Sequence, residues 1–176
     1  MASPLDLERL YDDHAQALFA YLLNLTRNEA DTRDLLQELF LKLARHPASL
    51  HAVRDERAFL LRLAHNLAID LMRRRTARER NYAALASESA ILFAPTADPD
   101  EQAFRECLSA ALAELPSDQR AVVHLKLWEG LTFEAIAETL EISPNTAASR
   151  YRYGLDKLRQ RLRPLYEEIK DEHGRF

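Results

Sequence analysis

The chain has 176 residues, of which 47% are hydrophobic and 30% charged, and its formal net charge is −4. This composition predicts a soluble protein with enough apolar residues for one or two small cores. Only three glycines and one cysteine are present, which argues against glycine-rich phosphate-binding loops, an internal disulfide and a cysteine-based zinc cluster.

Charge is divided into blocks along the chain. Residues 1–40 carry eight acidic side chains against three arginines, whereas residues 73–80 carry five arginines against one glutamate. Such blocks favour several distinct contact surfaces over one uniform surface. No apolar run is long enough to span a bilayer, and the acidic N-terminal segment is unlike a signal peptide. We therefore expect a cytoplasmic protein without membrane insertion.

Apolar residues recur at intervals of three and four along most of the chain, and no alternating strand pattern occurs. This periodicity predicts an all-α fold. The first helix is expected from about Leu5 to Thr26, the second from near Asn28 to a stop at Pro47, and the third from about Glu56.

The helical periodicity fades between residues 81 and 100, where alanine, serine, proline and acidic residues predominate. This segment predicts a flexible acidic linker between two small helical domains. Helices are expected again near Glu101–Leu115 and from Ser117 to Trp128. The predicted divisions are a first domain at 1–80, a linker at 81–100, a second domain at 101–163 and an acidic tail at 164–176.

The segment Leu131–Leu162 predicts two helices joined by a tight turn. Thr132 is expected to cap the first helix, and Ser143 followed by Pro144 is expected to begin the second. This outline is typical of a helix-turn-helix DNA-binding unit, whose second helix enters the major groove.

The start of that second helix carries a polar face that includes Asn145 and Arg152. Asn145 suits an adenine edge, and Arg152 suits a guanine edge or a phosphate. The segment from Ser143 to Arg163 contains six arginines or lysines and one acidic residue. This excess of positive charge favours contact with phosphate. The alternative for this segment alone is an ordinary solvated amphipathic helix.

Two segments of the first domain indicate a more specific function than DNA binding alone. The first reads DLLQELFLKL from Asp34, and the second reads RAFLLRLAHNLAIDLMRRR in the third helix. Together with LPSDQRAVVHLKLWEGLTFEAIAETLEISPNTAASR, the chain resembles the bacterial sigma-70 family, specifically the extracytoplasmic-function (group 4) sigma factors. The resemblance covers about residues 5–80 as sigma region 2 and 101–163 as sigma region 4.

The resemblance implies a subunit that is not an enzyme, binds core RNA polymerase, recognises the −35 and −10 promoter elements and directs transcription initiation. The residues implied to dock on the clamp helices of the polymerase β′ subunit are Asp34, Gln37, Glu38, Phe40 and Lys42. Those implied at the −10 element are Arg62, His65, Asn66, Ile69, Arg73 and Arg74. Those implied at the −35 element are Asn145, Thr146, Ala148, Ser149, Arg150 and Arg152.

The further partners that the resemblance implies are the flap of the polymerase β subunit and an anti-sigma factor. We expect a monomer when the protein is free, and no cofactor or metal. Four positions depart from the family pattern. Glu141 occupies a turn where glycine is commonest, Ala148 replaces a polar or basic residue, and Thr32-Arg33 replaces a small-acidic pair.

Two rival functions are a stand-alone helix-turn-helix transcription regulator and, more weakly, an all-α enzyme. Neither rival requires the acidic segment at Asp34 or the arginine-ended third helix. These two segments therefore favour the sigma-factor interpretation over both.

Overall fold

A computed structural model describes residues 7–50, 53–79 and 92–173, and within these ranges every regular element is a helix. This confirms the all-α prediction. Most of the predicted linker, residues 81–91, lies outside the described residues. The helices, in chain order, are α1 (Leu7–Thr26), α2 (Glu29–Arg45), a short 3-10 helix (Pro47–Leu50), α3 (Glu56–Glu79), α4 (Pro99–Ala113), α5 (Ser117–Leu127), α6 (Phe133–Leu140) and α7 (Pro144–His173).

Local side-chain chemistry explains where several of these helices begin. The Asn28 side chain accepts a hydrogen bond from the Asp31 amide at the start of α2, and Asp98 does the same for the first amides of α4. Pro99 occupies the first turn of α4, where its missing N–H costs nothing. The helix therefore begins two residues before its predicted start at Glu101.

Helices α1, α2 and α3 form the first domain around a leucine-rich core. Thr32, one of the departures from the family pattern, is buried in this domain. Its hydroxyl donates to the Asn28 carbonyl at 2.8 Å and contacts the Thr26 hydroxyl at 2.8 Å, so it ties the start of α2 to the end of α1. The core leucines that are almost fully buried are Leu10, Leu18, Leu22, Leu39, Leu43, Leu60 and Leu61.

Helices α4 to α7 form the second domain, in which α5 and α7 pack closely. A Cβ atom added at Gly154 of α7 would lie 2.7 Å from Val123 Cγ2 of α5, so a glycine is required for this approach. Helix α7 continues through Pro164 to His173, where the sequence predicts only an acidic tail.

The two domains contact each other directly. Helix α1 packs on α5, and α3 packs on α6. Val122, Leu125 and Ile136 of the second domain belong to the same buried cluster as the core of the first domain. The sequence predicts a flexible tether and gives no sign of this contact, which is a finding of the structure.

Candidate nucleic-acid and protein interfaces

The turn between α6 and α7 has the geometry that the sequence predicts. The Thr132 hydroxyl accepts a hydrogen bond from the Ala135 amide at 3.1 Å, and the Ser143 hydroxyl accepts one from the Thr146 amide at 3.0 Å. Glu141 adopts a left-handed conformation, with φ 57° and ψ 44°. A non-glycine residue pays about 1–2 kcal/mol there, so Glu141 closes the turn at the expense of some strain.

Helix α7 presents one polar stripe at its N-terminal end. Asn145 and Arg152 are exposed, and Ser149 lies half-buried between them. The Arg152 guanidinium lies 5.2 Å from the centre of the Tyr153 ring. Because steps of three and four residues return to the same side of a helix, these side chains can reach one surface together, with Ala148 on their flank.

Two other residues predicted at the same interface have separate partners. The Thr146 hydroxyl lies 2.8 Å from that of Ser143, so it takes part in the helix cap. Arg150 is directed toward α5, where its Nε atom lies 3.1 Å from an Asp118 carboxylate oxygen. The structure therefore does not bring Thr146 and Arg150 onto the stripe of Asn145.

Helix α3 carries a second stripe, formed by Arg62, Asn66, Ile69 and Arg73. Arg62, Asn66 and Arg73 are exposed, and Ile69 is half-buried. The Arg62 guanidinium lies 5.7 Å from the centre of the Phe59 ring. On the flank, Arg74 Nε donates to the Asp70 carbonyl at 3.2 Å. Exposed cations, an amide and an apolar side chain in one row suit nucleic-acid phosphates and unstacked bases.

His65 points away from this stripe and into the protein. Its Nδ1 atom lies 2.9 Å from the hydroxyl of Tyr21, a fully buried residue of α1. Burial, and after it the positive charge of Arg150, lowers the pKa of the His65 ring from 6.5 to about 4. At neutral pH this side chain is an uncharged member of the packed interior.

The His65 ring is expected to take up its proton near pH 4, which NMR of the ring can measure. The unfolded chain binds this proton near pH 6.5, so it holds more protons than the folded chain between those two values. The neutral ring therefore makes its full contribution to the free energy of unfolding above about pH 6.5. This contribution is lost as the pH drops toward 4. Urea unfolding at pH 7 and pH 5 should show this loss in the wild type and less of it in His65→Gln. A ring that titrates near pH 6.5 would contradict the buried placement.

A third surface lies on α2 and combines acidic with apolar side chains. Asp34, Gln37 and Lys42 are exposed. Glu38 forms an ion pair with Lys42, in which Glu38 Oε1 lies 3.3 Å from Lys42 Nζ. Beside them an open groove of about 620 Å³ follows α1 and α2. Its apolar wall includes the exposed side chains Tyr11 and Leu41 together with Phe40. Exposed aromatic and aliphatic groups next to charges are typical of protein-binding surfaces.

A fourth surface was missed by the sequence reasoning. Between α4, the end of α5 and the C-terminal part of α7 lies a groove of about 540 Å³ with an almost entirely apolar lining. The helical spacing of Leu155 and Leu162 predicts a buried stripe on this helix, and the sequence predicts only an acidic tail from Pro164. The residues that define this α4–α7 groove are Phe104, Leu108, Leu127, Leu155, Leu162 and Tyr166, with Arg159 and Arg163 at its edge.

Within the described ranges, no three histidine, cysteine, aspartate or glutamate side chains gather in a way that could hold a metal ion. None of the helices described there is both long and apolar enough to cross a bilayer. The candidate sites considered among the described residues are the two polar stripes, the α2 surface and the α4–α7 groove.

Comparison with known proteins identifies the family of the chain. The family model described as "Sigma-70 region 2" matches residues 10–78, and that described as "Sigma-70, region 4" matches residues 105–158. The ECF RNA polymerase sigma factor SigL of Mycobacterium tuberculosis is 35% identical over 161 residues, which is 90% of each chain. The ECF RNA polymerase sigma factor SigX of Bacillus subtilis is 30% identical over 95% of this chain and 89% of its own.

A solved structure shares the fold. The sigma factor RpoE of Bartonella quintana, in complex with the anti-sigma factor NepR, has a TM-score of 0.76 and 23% identity. The similarity covers 90% of this chain and 97% of that one. The two regional matches, in the right order, and the full-length relatives lead to one conclusion: the chain belongs to the sigma-70 family of RNA polymerase sigma factors, in its extracytoplasmic-function group.

Proposed function

We propose that this sigma factor holds core RNA polymerase through the α2 surface and the α4–α7 groove, and reads the promoter with the stripes on α3 and α7. The observation that carries the proposal is that these surfaces differ in the type of side chain they expose. The two stripes present arginine and amide groups, whereas the other two surfaces present apolar side chains.

The α2 surface suits the clamp helices of the β′ subunit. Glu38 and Asp34 supply negative charge beside the exposed Leu41 and the Tyr11–Phe40 ring pair, whose centres are 5.1 Å apart. Acidic side chains repel DNA and attract a basic protein face. The apolar neighbours supply contact area that is released from water on binding.

The α4–α7 groove suits an apolar helix from the flap of the β subunit. Its lining is almost free of polar groups, and Arg159 and Arg163 stand at the edge. A helix that lays an apolar face into such a groove buries that face from water, and acidic residues beside the face would pair with the arginines. With this groove, the domain proposed to read the −35 element would also carry a second polymerase contact.

The promoter contacts follow from the two stripes. On α7, Asn145 and Arg152 would read base edges of the −35 element in the major groove, with Ser149 and Ala148 beside them. On α3, Arg62, Asn66, Ile69, Arg73 and Arg74 would hold the melted −10 strand through phosphate contacts and stacking. His65 is not included in this contact, because its ring is directed toward Tyr21 within the same domain.

The proposal describes a binding protein that acts in the cytoplasm, where its polymerase is, and contributes no catalytic group. The Bartonella relative is bound to an anti-sigma factor, and we extend the proposal to an inhibitor of that class that covers the same surfaces. The free chain is proposed to be a monomer.

Gel filtration of the purified chain with bacterial core polymerase tests the proposal. The chain should leave its own elution position and move with polymerase at equal stoichiometry. If the two elute separately at micromolar concentrations while the free chain binds promoter duplex tightly, the stand-alone regulator is the better account.

A further inference from the structure

Most arginines of α7 are paired with an acidic side chain. The acidic partners lie on α5, at the end of α4 and on α7 itself. The pairs are Arg150–Asp118, Arg159–Asp156, Arg161–Glu114 and Arg163–Glu167. The remaining arginine of the helix is Arg152, which forms no ion pair with any residue that the structure describes.

The side chain of Arg152 is held by an aromatic ring. Its guanidinium carbon lies 5.2 Å from the centre of the Tyr153 ring, within the range of a cation–π contact, which extends to about 6 Å. A carboxylate partner takes up one or two N–H donors of a guanidinium. An aromatic face attracts the charge and accepts no such donor in the plane of the fork. The Arg152 cation is therefore held while its donors remain available.

The packing of α7 on α5 turns these two side chains outward. A Cβ atom added at Gly154 would lie 2.7 Å from Val123 Cγ2, so the bare backbone of α7 rests on α5 at this point. At about 100° per residue, Gly154 lies on the side of the helix opposite to Asn145. Tyr153 follows Asn145 by two steps of four residues and lies at the edge of the same stripe. Arg152 is exposed, and Tyr153 is 54% exposed.

A ring in this place prepares the arginine for base recognition. A long side chain loses rotamer freedom when it binds, and a contact that already holds the guanidinium removes part of that loss. The ring also restricts the orientation of the planar fork. Guanine is recognised by two parallel hydrogen bonds to its O6 and N7 atoms, so the orientation of the fork decides whether both can form.

We propose that Tyr153 is a positioning residue for −35 recognition, whose ring holds the Arg152 guanidinium in place for the edge of a guanine. The inference rests on the proposed function of α7 and adds the base that Arg152 reads. Tyr153 acts through Arg152 and makes no base contact of its own.

NMR of the free chain tests the contact between the two side chains. Protons that lie over the face of an aromatic ring are shifted upfield, so those of the Arg152 side chain should lie upfield of those of Arg159, which pairs with Asp156. Tyr153→Phe should keep this shift, because it keeps the ring, and Tyr153→Leu should abolish it. Arg152 signals that Tyr153→Leu leaves unchanged would overturn the proposal. This readout uses neither polymerase nor promoter, so its failure is distinct from failure of the proposed function.

Binding of holoenzyme to promoters that differ at one −35 position at a time measures the consequence for recognition. Tyr153→Leu should lose about two- to fivefold of the preference for guanine at the single position that Arg152 reads, and Tyr153→Phe should retain the preference. The matched control is Gln160→Leu, because Gln160 is exposed on α7 and lies seven residues beyond Tyr153 on the same side of the helix. It should leave every position unchanged.

A double-mutant cycle shows whether Tyr153 acts through Arg152. In the Arg152→Ala background the guanidinium is already absent, so Tyr153→Leu should cause no further loss. A full loss in that background, an equal loss on every −35 sequence, or no loss in the wild-type background would each overturn the proposal. Wild-type holoenzyme that discriminates at no −35 position would contradict the proposed function and, with it, this inference.

Discussion

Charge reversal at Glu38 is expected to weaken the complex with core RNA polymerase by about 2 kcal/mol or more, roughly thirtyfold in Kd. Glu38 is 44% exposed, pairs with Lys42 on its own helix and stands beside the exposed Leu41. In Glu38→Arg the acidic α2 surface gains a cation next to Lys42, and a basic partner face is repelled. The Kd is measured by titrating labelled polymerase with each variant.

Glu138→Arg on α6 is the matched control, because it makes the same charge change on an exposed residue in the other domain. It should leave polymerase binding unchanged, and both variants should keep the helix content of the wild type. If Glu38→Arg binds core polymerase normally and fails only on promoter DNA, the α2 surface is not the polymerase contact.

Removal of the Asn145 or the Arg152 side chain should weaken −35 recognition by about 1–3 kcal/mol each, the range for a bidentate base contact. Both side chains are exposed on the stripe that begins α7, next to the helix-turn-helix turn that Glu141 closes. Transcription by holoenzyme on promoters mutated one −35 position at a time measures the effect. Each alanine variant should lose discrimination at particular positions.

Lys157→Ala supplies the control on the same helix, because Lys157 is exposed and lies about three turns beyond Asn145. Its loss should reduce activity equally on all −35 sequences, or not at all, because a phosphate contact carries no sequence information. A uniform loss in Asn145→Ala and Arg152→Ala would show that these side chains touch only the backbone.

Local chemistry made much of the fold predictable. The caps at Thr132 and Ser143 and the proline start of α7 depend on neighbours within three residues, and the structure confirms all three. At Glu141 the sequence allows either a strained backbone or a different turn, and the structure shows the left-handed conformation.

The long-range contacts could not be predicted from the sequence. The pairs Arg57–Glu129 and Asn24–His124 join residues 72 and 100 positions apart, and periodicity within a helix says nothing about such partners. His65 illustrates the limit. It follows Arg62 at a helical step of three, but each such step turns the side chain by about 60° from the stripe, and this was enough to direct His65 toward Tyr21.

The α4–α7 groove could not be predicted from the sequence for a related reason. Leucines at helical spacing predict a buried stripe, yet Leu155 and Leu162 are only partly buried and line an open groove. The sequence predicts an acidic tail from Pro164, whereas α7 continues past this residue and brings Tyr166 to the groove. A proline in a helix removes one hydrogen bond, and the rest of the helix can outweigh that loss.

Transcription from a library of DNA fragments, with core polymerase in the presence and absence of this chain, tests its role as a promoter-specificity subunit. Sequencing the transcripts should reveal starts that appear only with the chain and share two sequence boxes at a fixed spacing. The Asn145 and Arg152 variants should change the upstream box and leave the downstream box intact. Transcripts no different from those of core polymerase alone, together with tight and specific duplex binding by the free chain, would contradict the account.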